Sequence, residues 1–452
     1  MHKVLIANRG EIAVRIIRAC HDLGLQTVAV YSEADAEALH VLHADEAICI
    51  GEAPANRSYL KIPNILSACE VTGADAIHPG YGFLSENPNF ASICESCGLE
   101  FIGPSPSIIT LLGDKARAKA VARKAGCPVI PGPPGVVADL QEALEQVKKI
   151  GFPVFIKAVA GGGGKGIRIS HSEKEFKRQF AAARAEAEVS FGNPDVYLEK
   201  MIMNPRHIEV QVVGDKHRYY VHLGERDCTI QRRRQKLIEE TPSPYISSKL
   251  QKKMGQAALN VVKEAGYNSV GTVEFLVDQD HNFYFMEVNT RIQVEHTVTE
   301  ELTGVDLVQE QLKIAMGDKL HYRQRDITFD GHVIQFRINA ENPENNFSPS
   351  PGRLDYYLPP GGPHVRVDSA CYSGYNIPPN YDSMIAKLIV HGENREEAIN
   401  IGKRALREFH IGGVHTTIPF HLYMLEDKNF LSGNYDLDYI DKLISEGCTF
   451  RV

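Results

Sequence analysis

The chain has 452 residues and nine scattered cysteines, with 43% hydrophobic residues, 23% charged residues and a formal net charge of −8. This length and composition indicate a globular protein of roughly two to four domains, and the negative charge argues against a surface that binds nucleic acid. No apolar run is long enough to span a membrane, and no targeting pattern precedes the first predicted strand. The odd number of scattered cysteines indicates reduced thiols, which favours a cytoplasmic protein.

The first 80 or so residues alternate short apolar strands with amphipathic helices. Lys3–Ala7 and Thr27–Tyr31 are predicted strands, and a helix that ends near residue 24 lies between them. The same alternation continues through Glu46–Ile50, Ile62–Thr72 and Ala74–His78. A repeated strand–helix–strand pattern predicts the α/β class, with a doubly wound parallel sheet at the N-terminus.

Two loops follow strand ends of this predicted sheet. Asn8–Glu11 stands where a dinucleotide-binding fold carries GxGxxG, which argues against a dinucleotide site. His78–Glu86 lies where such sheets place their ligands. A purely structural loop would explain the second segment equally well.

A connection rich in proline follows, from Pro104 to Pro134, and one helix is predicted within it, at Asp114–Ala125. Asp139 is then placed to cap a second helix, which ends at Gly151. The connection therefore separates the parallel sheet from a further α/β segment.

A glycine-rich loop follows the next predicted strand. The strand, Pro153–Ala158, carries Lys157 within an apolar run and leads to Gly161–Gly166. The loop lacks the Ser or Thr that follows the lysine of a Walker A motif. Consecutive glycines expose backbone N–H groups and bend freely, so the pattern favours a mobile flap over phosphates; a flexible hairpin tip is the alternative.

A β-hairpin is predicted later in the chain. Its strands are Ser269–Val277 and a segment that begins at Phe283, joined by the turn Asp278–Asn282. This register places Glu274 almost opposite Glu287, so that the two carboxylates share a face. Like charges there repel unless a cation lies between them, and oxygen ligands suit Mg²⁺.

The second strand of this hairpin continues into Glu287–Glu295, where the odd positions are polar and most even positions are apolar. If the whole stretch is extended, one face carries two carboxylates, a guanidinium and two amides. Asn289 could then add a metal ligand, while Arg291 and Glu295 would handle a small anion. An ordinary strand with a solvated face is the alternative.

The remaining elements are less distinctive. A basic run, Gln231–Lys236, suits an anion pocket or a solvated patch, and a helix is predicted near residues 305–316. His332–Lys387 is rich in β-formers, glycine and proline, and Arg395–Glu408 is predicted as one helix before a short tail. These patterns predict a C-terminal domain that is mainly β.

The chain resembles the biotin carboxylases of the ATP-grasp superfamily from residue 1 to about residue 446. The motifs that carry the resemblance are Ala7–Ala13, His78–Glu86, the glycine-rich loop, Glu287–His296 and Tyr381–Met384. The resemblance implies three domains: an N-terminal domain at 1–113, an ATP-grasp domain at 114–317 with a lid at about 130–202, and a C-terminal domain at 318–446.

The resemblance also implies which residues bind the nucleotide and its metal. Lys115 and Lys157 would hold ATP phosphates, with Gly163 and Gly164 closing over them. The residues that contact the rest of the nucleotide would be Ile167, Glu199, Lys200, Met201, Ile202, His207, Gln231, Arg234, Leu276 and Leu437. Two Mg²⁺ or Mn²⁺ ions would be bound by Glu274, Glu287 and Asn289.

Bicarbonate and biotin would be bound by a second group of residues. Bicarbonate would be held by Lys236, Arg291, Gln293, the backbone of Val294, and Glu295. Arg337 and Tyr81 would contact biotin, and Glu295 would deprotonate bicarbonate. One position departs from the family, because Arg234 stands where most members have a histidine that helps to hold the ribose.

The implied reaction is carboxylation of biotin by ATP and bicarbonate through carboxyphosphate. The resemblance favours the biotin carboxylase component of an acetyl-CoA carboxylase built from several chains, a homodimer that works in fatty acid synthesis with a biotin carboxyl carrier protein and carboxyltransferase subunits. A two-subunit pyruvate carboxylase or another acyl-CoA carboxylase is the alternative. Biotin should come from a separate carrier, because the sequence lacks a Met-Lys-Met biotinylation motif. Another ATP-grasp ligase and a non-catalytic nucleotide-binding regulator are the rival functions.

Overall fold

The computed structural model describes residues 1–133, 135–137, 139–158, 167–191 and 193–450. The chain forms two compact units, one made of Met1–Cys127, Arg206–Phe275 and Glu287–Val452, the other of Pro128–Pro205 and Leu276–Met286. The glycine-rich loop, with Gly163 and Gly164, lies outside the described residues. Within the described ranges no helix is both long and apolar enough to cross a membrane.

A five-stranded parallel sheet opens the first unit. Its strands are β1 (Lys3–Ile6), β2 (Gln26–Ser32), β3 (Glu46–Gly51), β4 (Ala76–His78) and β5 (Glu100–Phe101), and the helices of this region are α1 (Gly10–Asp22), α2 (Leu39–His43), α3 (Ile62–Thr72), α4 (Pro88–Ser96), α5 (Pro106–Gly113) and α6 (Lys115–Lys124). The strand order is β3-β2-β1-β4-β5, and the paired strands are all parallel. The predicted α/β class and doubly wound N-terminal sheet are therefore confirmed.

The second unit holds a smaller antiparallel sheet. Its elements are α7 (Leu140–Ile150), β6 (Val154–Ala158), β7 (Ile167–Ser170), α8 (Glu173–Phe191) and β8 (Val196–Lys200). The strand order is β7-β6-β8. The side chain of Asp139 accepts hydrogen bonds from the backbone N–H groups of Gln141 and Glu142, so the predicted helix cap is present.

An eight-stranded sheet follows, and its residues lie in the first unit except for those within Leu276–Met286. In chain order, the first elements of this region are β9 (Arg206–Gly214), β10 (Tyr220–Arg232), β11 (Gln235–Thr241), α9 (Ser248–Ala265), β12 (Ser269–Val277) and β13 (Phe283–Asn289). They are followed by α10 (His296–Thr303), α11 (Leu307–Met316), β14 (His332–Asn339), β15 (Glu341–Asn342), β16 (Ser348–Pro349), β17 (Gly352–Arg353), β18 (Tyr356–Leu358), β19 (Val365–Ser369), β20 (Asn376–Ile377) and β21 (Met384–Gly392). The strand order is β13-β12-β9-β10-β11-β14-β21-β19.

The chain closes with α12 (Arg395–Glu408), β22 (His410–Gly412), α13 (Ile418–Met424), α14 (Lys428–Ser432) and α15 (Tyr439–Ser445). Strand β14 separates two environments by simple alternation. Ile334, Phe336 and Ile338 join the hydrophobic core of the C-terminal region. Gln335 and Arg337 point to the other face, where they are buried among polar groups.

Three sequence predictions were wrong in detail. The proline-rich connection contains α5 as well as α6, because Pro106 occupies the start of that helix, where its missing N–H costs nothing. The predicted short tail contains α13, α14 and α15. The stretch from Glu287 is extended only to Asn289, and the chain then turns into α10, which begins at His296.

Candidate active site

Lys236 lies among three buried carboxylates at the start of β11. Its Nζ is 2.6 Å from Glu295 Oε1, 2.7 Å from Glu209 Oε2 and 3.4 Å from Glu274 Oε1. Burial opposes the charge of this lysine, but the anionic groups around it outweigh burial and raise its pKa well above the usual value. Lys236 is therefore a charged ammonium that forms ion pairs with three carboxylates.

Glu295 is held between two cations. Its Oε1 accepts from Lys236 at 2.6 Å, and its Oε2 accepts from Arg337 Nη2 at 2.9 Å. Burial favours the neutral acid, yet the cations Lys236, Arg337 and Arg226 together outweigh burial and lower the pKa of Glu295. Glu295 is therefore an ionised carboxylate at neutral pH, the state that a general base requires.

Arg337, on β14, is fixed by Glu239 as well as by Glu295. Its Nε donates to Glu239 Oε1 at 2.6 Å, and Gln335 Nε2 donates to Glu239 Oε2 at 2.9 Å. Burial works against the charge of Arg337, but Glu239 and Glu295 together outweigh burial and raise the pKa of the guanidinium. The arginine is thus a permanent cation in a fixed orientation.

Glu274 and Glu287 form the carboxylate pair that the hairpin predicts. Glu274 Oε1 accepts from Asn289 Nδ2 at 2.8 Å, and His207 Nε2 lies 3.3 Å from Glu274 Oε2. Burial and the nearby charge of Glu274 raise the pKa of Glu287, whose carboxylate lies 3.8 Å from Lys115 Nζ. Two repelling carboxylates make a pair of oxygen donors, which fits Mg²⁺. The amide of Asn289 turns its nitrogen to Glu274 here, and its oxygen accepts from Arg291.

His207 lies beside this pair on β9. Burial opposes its charge, but Glu274 and Glu209 together outweigh burial and raise the pKa of His207 to about 9. A cation here offsets part of the negative charge that Glu274 carries.

Arg291 leaves the row of polar side chains that an extended strand would give. Its Nε donates to Glu86 Oε2 at 2.9 Å, and its Nη2 donates to Asn289 Oδ1 at 3.1 Å. The backbone N–H of Thr290 donates to Glu86 Oε1 at 3.0 Å, so the two oxygens of Glu86 accept from two consecutive residues of this turn. The loop His78–Glu86 thus contributes Glu86, which holds Arg291 in place.

Tyr81, in the same loop, starts a second buried chain of contacts. Its hydroxyl donates to Glu11, and Glu11 Oε2 lies 3.0 Å from Lys387 Nζ. Lys387 also donates to the carbonyl oxygen of Val294 at 3.2 Å. The residue predicted to contact biotin is thereby linked to the backbone predicted to contact bicarbonate.

The residues predicted for the nucleotide fall into both units. In the first unit, Gln231 donates to the carbonyl of Cys228 at 2.9 Å, Leu437 is half-buried, and Arg234 is exposed with a φ of 69° in the turn between β10 and β11. Lys236, near the start of β11, contacts the carboxylates, whereas Arg234 lies exposed in the turn.

In the second unit, Lys157 forms an ion pair with Glu199 across neighbouring strands β6 and β8. The backbone N–H of Lys200 donates to the carbonyl of Pro131 at 2.7 Å, and its ammonium donates to the carbonyl of Phe152 at 2.6 Å. The other predicted residues in this unit are half-buried: Ile167, Met201, Ile202 and Leu276.

Sequence reasoning missed several groups on which this network depends, namely Glu209, Arg226, Glu239, Glu86, Glu11 and Lys387. A signal for Glu209 was present, since His207, Glu209 and Gln211 alternate along β9, which is buried at every position. Polar side chains at every second position of a buried strand must find partners. Nothing local marks Arg226 or Lys387, whose partners are distant in sequence.

The carboxylate pair, Lys236 and Arg337 lie on an antiparallel sheet that follows a parallel one, and Arg291 lies in the turn after Asn289. This arrangement fits an ATP-dependent ligase of the ATP-grasp class. The chain is 55% identical over 440 residues to "Biotin carboxylase 1" of Bacillus subtilis, covering 97% of this chain and 98% of that protein. The chain belongs to the biotin carboxylase family.

Family domains match along most of the chain. The biotin carboxylase N-terminal domain matches residues 1–109, the carbamoyl-phosphate synthase L chain ATP binding domain matches 114–323, and the biotin carboxylase C-terminal domain matches 335–442. One of the pyruvate carboxylase subunits of Methanothermobacter thermautotrophicus is 52% identical, over 97% of this chain and 89% of that protein. Relatives named for different carboxylases are therefore similarly close in sequence.

Solved structures match with high coverage. A biotin carboxylase from Campylobacter jejuni, described as a complex with β,γ-ATP, gives a TM-score of 0.91 at 48% identity, over 97% of this chain and 98% of that one. The biotin carboxylase domain dimer of 2-oxoglutarate carboxylase from Hydrogenobacter thermophilus, in complex with MgADP, ADP and bicarbonate, gives 0.90 at 49% identity, over 100% and 98%.

Proposed function

We propose that this biotin carboxylase carboxylates biotin on a separate biotin carboxyl carrier protein, as the first half-reaction of acetyl-CoA carboxylase in fatty acid synthesis. The observation that carries the proposal is Glu295, an ionised carboxylate held 2.6 Å from Lys236 and 2.9 Å from Arg337. A base between two cations suits an anionic substrate whose proton must be removed while its charge is neutralised.

In the proposed reaction, Glu295 takes the proton of bicarbonate while a bicarbonate oxygen attacks the γ-phosphorus of ATP. The bond between that phosphorus and the β–γ bridging oxygen breaks, and ADP leaves. Lys236 and Arg291 offset the negative charge of bicarbonate during this transfer, in which positioning and electrostatics do most of the work. Gln293 and the backbone of Val294 complete the bicarbonate site.

Carboxyphosphate then breaks down to CO₂ and phosphate. Phosphate takes the proton from the ureido nitrogen of biotin, and that nitrogen forms a bond to CO₂. Arg337 stabilises the negative ureido oxygen that develops, because its guanidinium is a fixed cation. Tyr81 contacts the biotin ring.

For the metal, we propose that Glu274, Glu287 and Asn289 hold two Mg²⁺ or Mn²⁺ ions. When bound, these ions would offset the charge of the ATP phosphates. The donor set supports this assignment, since it contains only oxygen ligands and the charge of one carboxylate raises the pKa of the other. Bound nucleotide and magnesium in the Hydrogenobacter structure are consistent with it.

For the nucleotide, we propose that Lys115 and Lys157 contact the phosphates and that Gly163 and Gly164 cover them. His207, Gln231 and Arg234 would contact the sugar and the adjoining phosphates. The base would be framed by Glu199, Lys200, Met201 and Ile202, with apolar contacts from Ile167, Leu276 and Leu437. Arg234 keeps hydrogen-bond donors but is longer than histidine and always charged.

The proposed assembly contains a homodimer, the carrier protein and carboxyltransferase subunits, in the cytoplasm. The dimer of the Hydrogenobacter domain supports the first of these. The domain boundaries at residues 113 and 317 are part of the same proposal. Light scattering of the purified protein measures the oligomeric state, and a monomer at micromolar concentration would contradict the dimer.

The relatives are named for carboxylases with different carboxyl acceptors. Proteins named for pyruvate carboxylase and for 2-oxoglutarate carboxylase stand beside proteins named biotin carboxylase, so a two-subunit pyruvate carboxylase or another acyl-CoA carboxylase is the second candidate. Mixing the protein with candidate partner subunits and measuring malonyl-CoA or oxaloacetate distinguishes them. Oxaloacetate without malonyl-CoA would contradict the acetyl-CoA carboxylase assignment.

The half-reaction itself is tested by ATP hydrolysis with bicarbonate and Mg²⁺, with and without free biotin. Stimulation by biotin is expected. An ATP-grasp ligase that joins a carboxylate to an amine would show no dependence on bicarbonate, and a non-catalytic regulator would show no turnover.

A further inference from the structure

Arg226 is a fully buried guanidinium on β10 that none of the proposed roles uses. A guanidinium has five N–H donors and no acceptor. Here each donor has a partner. The acceptors are Glu209 Oε1 at 2.6 Å from Nε, Gln211 Oε1 at 2.5 Å and Thr299 Oγ1 at 3.0 Å from Nη1, and Thr272 Oγ1 at 3.1 Å and Gln293 Oε1 at 2.7 Å from Nη2.

This arrangement decides the orientation of the Gln293 amide. Because the guanidinium can only donate, the atom of Gln293 that faces Arg226 must be the carbonyl oxygen. The amide nitrogen then points away from Arg226 and donates to Glu274 Oε1 at 2.9 Å. One N–H of that nitrogen is used by Glu274, and the second is the group that Gln293 can offer to a neighbouring anion.

The opposite orientation would be unfavourable for an anion. It would present the carbonyl oxygen of Gln293 to bicarbonate, and two acceptors would then face each other without a proton between them. It would also place the amide NH₂ against the donors of Arg226. Both costs oppose this second orientation, so Arg226 fixes the orientation of the Gln293 amide.

We propose that Arg226 is a positioning residue, which sets the end of the Gln293 amide that meets bicarbonate. The inference rests on the proposed function, since it assigns Gln293 to the bicarbonate site. Arg226 also holds Glu209, whose other oxygen accepts from Lys236 at 2.7 Å. A second group predicted to bind bicarbonate is thus braced by the same guanidinium.

A purely structural role predicts a different outcome from this one. If Arg226 only neutralised Glu209 in the interior, its replacement would lower stability and kcat without a selective effect on bicarbonate. Positioning of Gln293 predicts that the KM for bicarbonate rises while the KM for ATP does not. The comparison of the two KM values therefore separates the alternatives.

The first experiment compares Arg226→Lys with Thr272→Val in the full-length protein. The lysine keeps a charge beside Glu209 but has one donor group, which cannot reach the acceptors that the fork spans. We expect its bicarbonate KM to rise about 10–100-fold, as for a lost hydrogen bond to a charged donor, with the ATP KM within about twofold. Thr272→Val removes one acceptor of the same Nη2 but leaves the bond from Arg226 to Gln293, and should leave the bicarbonate KM within about twofold.

The second experiment is a double-mutant cycle with Gln293→Ala. If Arg226 acts through Gln293, Arg226→Lys should add less than about twofold to the bicarbonate KM in the Gln293→Ala background. Factors that multiply in full would overturn the proposal.

Gln293→Glu keeps the test decisive if Arg226→Lys fails to fold. The glutamate still offers an oxygen to Arg226 but has no N–H for bicarbonate and places a second carboxylate beside Glu274, so the bicarbonate KM should rise by a larger factor than the ATP KM. An unchanged bicarbonate KM in the folded variants would overturn the inference alone. Wild-type protein without bicarbonate-dependent ATP turnover would instead defeat the proposed function.

Discussion

Lys236 and Glu295 form an ion pair of 2.6 Å in which the other carboxylate oxygen of Glu295 is bound by Arg337. Burial alone would raise the pKa of Glu295, and these cations lower it instead. A carboxylate in this position stays ionised throughout the neutral range. The same cations can share their charge with a bound anion, so the proposed base and the proposed anion site are one structure.

Glu295→Gln should nearly abolish bicarbonate-dependent turnover and leave ATP binding intact. The amide has the same shape and can still accept from Arg337, but it cannot take a proton. Losses for a missing general base are typically about 10²–10⁴-fold. Steady-state ATP hydrolysis with and without bicarbonate gives the measurement, and near-normal turnover would remove Glu295 from this role.

Glu274→Gln should raise the Mg²⁺ concentration needed for activity, and excess metal should partly restore the rate. The change removes the charge of one carboxylate while keeping an oxygen that can accept from Asn289. A titration of ATPase activity with Mg²⁺ measures the shift. If the metal dependence is unchanged, the proposed ion site is misplaced.

Arg337→Lys should impair the transfer to biotin more than the bicarbonate-dependent hydrolysis of ATP. A lysine cannot bind both Glu239 and Glu295 with the geometry of the guanidinium fork. We expect a loss of about 10²-fold or more in carboxybiotin formation, as for removal of a group that stabilises a developing oxyanion. Equal losses in the two assays would argue against a role specific to biotin.

The purified protein should carry no covalent biotin and should use a biotinylated carrier domain much better than free biotin. The sequence has no Met-Lys-Met motif to accept the modification. A carrier contributes binding energy away from the reacting ring, which free biotin lacks. Intact-mass spectrometry after co-expression with a biotin ligase tests the first statement, and an added biotin mass would refute it.

Glu240→Gln should destabilise the fold at neutral pH by about 3–5 kcal/mol, because Glu240 is a buried ion-pair partner. Arg395 donates to both of its oxygens at 2.7 and 3.0 Å, and His332 lies 2.8 Å away. Burial works to raise its pKa, but Arg395 and His332 together outweigh burial and the pKa is depressed. The stabilisation is thus present above the ordinary pKa near 4.5 and is lost as the pH falls below it.

Denaturant melts of wild type and Glu240→Gln at several pH values measure this effect. The difference in unfolding free energy should shrink as the pH falls below about 4.5. Glu408→Gln is the matched control, because the pair of Glu408 with Arg404 is exposed on α12 and should contribute about 0–1 kcal/mol. A difference that grows toward acid pH would contradict the assignment.

Much of the fold was predictable where the signals are local. The strands of the parallel sheet follow from apolar runs between helices, and the hairpin of β12 and β13 follows from a turn between two β-rich segments. Helix α12 runs from Arg395 to Glu408, as predicted. Cap and turn residues act within a few positions, so a single sequence contains the information.

The site was predictable only in part, because its side chains are fixed by partners far along the chain. Arg291 was predicted to lie in a row with Glu287 and Glu295, yet it turns to Glu86, 205 residues away. Alternation could not show this, since the strand ends at Asn289, before Arg291. Arg226 was missed because its role depends on acceptors from β9, β12, α10 and the loop that carries Gln293.

The buried contact of Lys387 with Glu11 and the carbonyl of Val294 also sets the order in which the protein can mature. Glu11 and Val294 leave the ribosome before Lys387, which lies 376 residues after Glu11 in the sequence. Until β21 emerges, Glu11 and the loop at Val294 lack their shared ammonium. During synthesis the parallel sheet can fold as a local unit, but the site is completed only when a late strand reaches back to the first helix.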